Sequence, residues 1–91
     1  MLEPQETQNI HKRLKRIMGQ LNGIDKMVSE NAPCTDVLIQ LNAAKSALHK
    51  VGQIVLEGHI NHCVRDSIRE NNIDDSLSEL ASVIEHFSRM S

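Results

Sequence analysis

Three side chains in this sequence have a taste for soft metal ions. His59 and Cys63 sit four residues apart in Gly58-His59-Ile60-Asn61-His62-Cys63-Val64, and Cys34 stands alone far upstream. On a helix, positions i and i+4 share a face, so an imidazole nitrogen and a thiolate sulfur at that spacing form a two-point grip. A third ligand from Cys34 would complete a two-sulfur, one-nitrogen set that suits Cu(I), whereas zinc would want a fourth. His62 is the nearby candidate for that fourth place, but on an α-helix it points roughly 100° away from Cys63. It reads as a solvated surface residue. His11, His49 and His86 show no paired spacing and read as surface or packing. The competing reading of His59 and Cys63 is plain core, since cysteine is among the most buried residue types.

Helices must position these groups. Ile10, Leu14, Ile17, Met18, Leu21, Ile24, Met27 and Val28 recur at steps of three and four, which predicts an amphipathic first helix. Residues 1–6 before it read as a loose arm. Gly19 and Gly23 lie inside the helix at a cost of about 1 kcal/mol each relative to Ala, and the reading favours close helix packing there. Asn31-Ala32-Pro33 is a break, and Pro33, Thr35 and Asp36 suit the first turn of a new helix.

From Val37, Leu38, Leu41 and Ala44 through Leu48, Val51, Val55, Ile60, Val64 and Ile68, helical spacing runs on to about Arg69. That makes a second helix of about ten turns, with Gly52 and Gly58 as the places where it could kink. Asn71-Asn72 breaks the pattern again. Asp74 and Asp75 then open a short third helix striped by Leu77, Leu80, Ala81, Ile84 and Phe87. No strand alternation, internal repeat or Gly-rich phosphate loop is present. The predicted fold is all-α, one domain over residues 1–91, with a three-helix protomer built on a long second helix.

That length decides how the three ligands meet. Cys34 opens the second helix and Cys63 lies near its end, roughly 40 Å away at 1.5 Å per residue. A metal bonded to sulfur at about 2.3 Å spans no such gap. Either the helix folds back near Gly52, or Cys34 of one chain meets His59 and Cys63 of another. Two antiparallel copies satisfy the second case, with a two-fold axis near Leu48, where Ala44, Ala47 and Val51 are apolar and mostly small. Each dimer then carries two equivalent sites. At a helix N-terminus the positive end of the macrodipole also favours the Cys34 thiolate.

Composition narrows the field. A chain of 91 residues buries a limited core alone, so oligomerisation is expected. Phe87 is the only aromatic residue, which leaves an aliphatic core suited to helix packing. No apolar run approaches the roughly 20 residues of a membrane span, and Met1-Leu2-Glu3-Pro4-Gln5-Glu6 has no signal-peptide character. The expectation is a cytoplasmic protein whose two cysteines are ligands or redox thiols. The net charge of −2 excludes a uniformly basic nucleic-acid binder, yet Lys12, Arg13, Lys15, Arg16, Lys26, Lys45 and Lys50 gather in the first half. No Ser/His/Asp arrangement, carboxylate pair or cofactor loop points to an enzyme.

Beyond these patterns the chain resembles the CsoR-type metal-sensing repressors. The resemblance is carried by Arg13-Leu14-Lys15-Arg16-Ile17, Gly19-Gln20-Leu21-Asn22-Gly23-Ile24, Cys34-Thr35-Asp36-Val37-Leu38-Ile39-Gln40, Ala43-Ala44-Lys45-Ser46-Ala47-Leu48 and His59 through Cys63. It implies protomers dimerised through antiparallel second helices and doubled into a tetramer. It also implies an inter-subunit Cu(I) site of Cys34, His59 and Cys63, with Glu79 in the place of the family's carboxylate just outside the metal ligands. Members with this ligand set bind operator DNA without metal and release it on taking up Cu(I), which derepresses copper-resistance genes.

Departures from the family pattern are visible too. Pro33 stands where some copper sensors have a Tyr, and Gln53 where one branch has a basic DNA contact. Leu2 stands where the nickel branch carries a His. The formaldehyde branch lacks the equivalent of Cys63, and the persulfide branch lacks the equivalent of His59.

Nothing here resembles a helix-turn-helix or a zinc finger, so DNA binding rests on charge and family. Lys12, Arg13, Lys15 and Arg16 crowd one stretch of the first helix, and Lys45 and Lys50 extend that surface. A tetramer would repeat the cluster four times and touch several phosphates. The alternative function is a thiol- or persulfide-responsive repressor in which Cys34 and Cys63 form the redox pair.

Overall fold

The structure, a computed structural model, describes residues 2–90. Its elements are α1 (Pro4–Ser29), α2 (Cys34–Gly58), a π-helical segment (His59–Val64), α3 (Arg65–Arg69) and α4 (Ile73–Ser88). No strand occurs among the described residues. α2, the π segment and α3 run on without a break, because Gly58, His59, Val64 and Arg65 all keep right-handed helical angles. The long second helix ending at Arg69 is therefore present. α2 runs through Gly52 unbroken, and its winding changes directly after Gly58.

Both helical breaks are made by asparagine. Asn31 and Asn71 have φ of 57° and 61°, the left-handed region that Asn tolerates better than most residues. Each closes the preceding helix with the paired bonds of a Schellman motif: Ala32 N–H to the Met27 carbonyl and Asn31 N–H to Val28, then Asn72 to Ser67 and Asn71 to Ile68. Pro33 sits one place ahead of the expected first turn, as the N-cap of α2, with Cys34 as the first helical residue.

The loose arm expected over residues 1–6 is not what the described part of it forms. Met1 lies outside the described residues, but α1 starts at Pro4, and the Glu3 N–H donates to Glu6 Oε1 at 3.2 Å, the return half of a capping box. Pro at the first helical position, needing no N–H partner, is the local cause.

α1 and α2 form an antiparallel hairpin with Ile17 and Ile24 of α1 buried along with Ala44 and Val51 of α2. α4 folds back along the C-terminal half of the long helix. There the Phe87 ring lies 4.9 Å from the His49 ring, and a Cβ on Gly52 would come 2.9 Å from the Met90 sulfur. The absent side chain at Gly52 lets α4 approach. Gly19 and Gly23 face open space, so the close packing expected at them is not made within the protomer.

The protomer is a slab of 57 × 25 × 13 Å. Its radius of gyration is 17.3 Å, against about 12 Å for a compact domain of this length. Its accessible surface is 6812 Å², where a compact monomer of 10.2 kDa would expose about 5300 Å². Much of the excess is apolar. Leu41, Leu48 and Val55 recur every seven residues along α2 and are 43%, 39% and 40% exposed, so one stripe of the long helix faces outward. Fully burying such a side chain stabilises by roughly 1.5–3 kcal/mol, and the single chain forgoes part of that. The buried Gln20 Oε1 and His49 Nδ1 also lack hydrogen-bond partners among the described residues.

Candidate metal centre

Cys34 is exposed at the start of α2, beside a shallow recess lined by Val28, Ala32, Val37 and Leu38. His59 begins the π segment after the 25 residues of α2, roughly 37 Å further along the rod. No three His, Cys, Asp or Glu side chains converge on a common point among the described residues. The helix does not fold back, so one protomer offers His59 and Cys63 at one end and Cys34 at the other.

The π segment improves that pair. On an α-helix, positions i and i+4 are about 40° apart in azimuth, and the wider turn of i→i+5 bonding brings them closer to eclipsed. His59 is only 4% exposed and makes no hydrogen bond among the described residues. An imidazole that is packed in place and carries no hydrogen bond is free to take a ligand that arrives later. Cys63 is half-buried with a free thiol and opens onto a polar recess lined by Leu2, Glu3, Asn61, His62, Arg65, Asp66 and Arg69. A free thiol beside an unpaired imidazole fits a soft metal ion.

His62 is not the solvated residue expected. Its Nε2 lies 2.6 Å from Glu6 Oε1 and its Nδ1 3.7 Å from Glu3 Oε1, across a sequence separation that spacing patterns do not reach. The His62 and Glu6 side chains are 32% and 27% exposed, so solvent screens the contact only in part; a hydrogen bond to a charged group of this kind contributes about 1.5–3 kcal/mol. Sequence reasoning missed this contact. Pro4 with Glu6 two residues on was the available sign that α1 begins early enough to bring a carboxylate here. His49 is a packing residue, and His11 and His86 are exposed.

Glu79 is exposed on α4. α4 packs antiparallel against the π segment, and Phe87 lies opposite His49, so Glu79 is carried toward the level of His59. Lys12, Lys15 and Arg16 are exposed on α1, while Arg13 is half-buried and its Nε donates to Asn9 Oδ1 at 3.2 Å. Lys45 and Lys50 are exposed on α2. Glu6 lies beside Gly58 and the turn joins Ser29 to Cys34, so the hairpin brings the Lys12–Arg16 stretch level with the Lys45–Lys50 stretch.

A family model described as metal-sensitive transcriptional repressor matches residues 6–86. The chain belongs to that family. The copper-sensing transcriptional repressor CsoR of Bacillus subtilis is 39% identical over 84 residues, covering 92% of this chain and 83% of its own. The copper-sensing transcriptional repressor RicR of Mycobacterium tuberculosis is 38% identical over 87 residues, with 93% and 91% covered. Among solved structures, the copper-sensing repressor CsoR with Cu(I) from Geobacillus thermodenitrificans superposes with a TM-score of 0.88 at 48% identity, covering 97% of this chain and 92% of that one.

The nickel-responsive transcriptional regulator InrS superposes with a TM-score of 0.82 at 40% identity, covering 88% and 90%. As a member of this family the protein is a metal-responsive transcriptional repressor and not an enzyme. Its fold is the all-helical one of the CsoR structure. No helix among the described residues is long and apolar enough to cross a membrane.

Proposed function

We propose that the protein is a Cu(I)-responsive repressor of the cytoplasm, a single-domain chain that binds operator DNA when metal-free and is released on Cu(I) binding, derepressing copper-resistance genes. The observation that carries this reading is the distribution of donors along one straight rod. A buried, uncommitted imidazole and a thiol share one end, and the only other thiol stands exposed at the far end. His59 and Cys63 of one protomer, with Cys34 of a second copy running antiparallel, would hold the ion. The outward stripe of Leu41, Leu48 and Val55 supplies the surface on which two rods pair, and the paired dimers double into a tetramer.

Cu(I), when bound, supplies a soft centre that ties two chains together through sulfur. The protein's own residues do the rest. His59 is held in place by burial, Cys34 is presented on the outside, and Glu79 orients the ligand imidazole from α4. Lys12, Arg13, Lys15, Arg16, Lys45 and Lys50 face phosphates. Copper rather than nickel is favoured by the soft set of two thiolates and one imidazole, and by Leu2, whose side chain has no donor at the place where the nickel branch carries a His.

Copper K-edge absorption on the loaded protein tests the assignment, with two sulfurs and one nitrogen expected per ion. A shell of any other composition rejects the ligand set. The second reading, a sulfur-responsive repressor that cross-links Cys34 to Cys63 of a partner, is favoured by the free, exposed Cys34 thiol. Replacing His59 by Ala separates the two: operator release by Cu(I) is expected to fail, and a response that survives only toward persulfide would favour the sulfur reading.

A further inference from the structure

We propose that His62 and Glu6 form a clasp through which the state of the His59–Cys63 end reaches the DNA-facing helix α1. The inference rests on the repressor reading above for what α1 does, and on the structure for the clasp itself. His62 is the direct neighbour of Cys63, and its Nε2 sits 2.6 Å from Glu6 Oε1. A carboxylate only accepts, so the imidazole Nε2–H is the donor. The same Glu6 oxygen accepts the Glu3 N–H at 3.2 Å, so one atom both ends the backbone of α1 and ties α1 to the long helix. Beneath this contact a Cβ on Gly58 would strike the Leu2 side chain and come 2.9 Å from Glu6 Oε2. Glycine at position 58 is what allows α1 to seat there.

The lever is short and stiff. Glu6 and the Lys12–Arg16 cluster belong to one unbroken helix, less than two turns apart at their near ends. A displacement at Glu6 is therefore delivered to the basic residues without an intervening hinge. At the other end, His62 and Cys63 are adjacent on a segment whose π winding already departs from the α-helix on either side. Short π segments of this sort recur at functional sites. Drawing the Cys63 side chain toward a thiolate of another copy turns the backbone that also aims His62. Holding Cys63 and keeping the His62–Glu6 bond are then competing demands on six residues. His62 and Glu6 are positioning residues: neither needs to touch metal or DNA.

The test uses the whole chain, a fluorescent duplex selected from random DNA by binding to the metal-free wild type, and the variants His62→Ala, Glu6→Ala and Glu6→Gln. Metal-free His62→Ala and Glu6→Ala are expected to bind the duplex about tenfold more weakly than the wild type, within the range of measured coupling effects, and to lose most of the response to Cu(I). Glu6→Gln, which keeps an acceptor at the same place, should restore the greater part of the affinity.

Hydrogen exchange gives a reading that needs no operator. The first turns of α1 should lose protection in both alanine variants, and in the wild type on adding Cu(I). Gly58→Ala, which leaves both clasp residues intact, should produce the same loss. Alanine variants with wild-type DNA affinity and wild-type protection of α1 overturn the clasp. A wild type indifferent to Cu(I) in both readouts would sink the copper reading instead. The metal-free affinity and protection of the variants would still decide the clasp.

Discussion

The two ends of the long second helix are built to opposite plans. At Cys34 the rod starts as a regular α-helix behind a proline cap, its thiol exposed beside a shallow apolar recess. At His59–Cys63 the rod is π-wound, the imidazole is 4% exposed, and the start of α1 and the flank of α4 pack around it. One end is a socket and the other a plug. A socket must be shaped before its ligand arrives, because side chains fixed in advance lose little entropy on binding. A plug must stay reachable, so it is left bare. No single chain of this shape can join its own two ends; on the function proposed above, they meet between copies.

The largest effect should come from separating plug and socket onto different chains. Cys34→Ser and Cys63→Ser homo-oligomers should each lose Cu(I) affinity by more than about 100-fold, beyond what removal of an outer-sphere partner costs. Mixed and refolded together, they should regain tight binding at about half of the wild-type stoichiometry or less. In a mixed antiparallel dimer, one site has both changes and the other has neither. Competition with a chromophoric Cu(I) chelator reads this out. Absence of any recovery on mixing would mean that both thiols act within one chain, against the geometry of the rod.

A step down in size, Leu48→Glu keeps every ligand and attacks only the pairing. Leu48 is 39% exposed at the middle of the outward stripe, where a two-fold axis would set it against its own copy. Like charges placed together across an interface cost several kcal/mol, so sedimentation should show smaller species, and Cu(I) binding should weaken in step. If the variant stays assembled and binds copper as before, the two-fold axis lies elsewhere.

Much of this plan was legible in the residues alone. The asparagine breaks at 31 and 71, the stripes of α1 and α4 and the length of the second helix follow from local chemistry that acts within a turn or two. The incompatible reach of Cys34 and Cys63 follows from the rise of a helix. What stayed hidden depends on contacts between distant parts of the chain. A six-residue run reads the same as α or π, and only the structure shows α4 packed against it and Glu6 of α1 reaching its His62. The His62–Glu6 bond joins residues 56 apart, and no periodicity records such a pair. Gly58 reads as a weak point in a helix until Leu2 and Glu6 are seen occupying the space its side chain would fill.

The smallest test compares one substitution in two settings. Gly19 and Gly58 are both helical, so replacing either with Ala removes backbone freedom from the unfolded chain and favours the helix by about 0.8–1 kcal/mol. At Gly19 nothing lies within 4 Å of the new Cβ, so the gain should appear undiminished as a rise of a few degrees in the melting temperature. At Gly58 the new Cβ meets Leu2 and Glu6 Oε2, and the neighbours must give way. Both are ends of side chains that can shift, but moving Glu6 weakens its bond to His62, which offsets the helical gain and leaves no net increase in stability. Calorimetry on the pair should therefore show one variant stabilised and the other unmoved. If Gly19→Ala instead lowers the melting temperature in a concentration-dependent way, the open face around that glycine is covered by another copy in solution. The close approach expected at Gly19 and Gly23 would then lie between chains rather than within one.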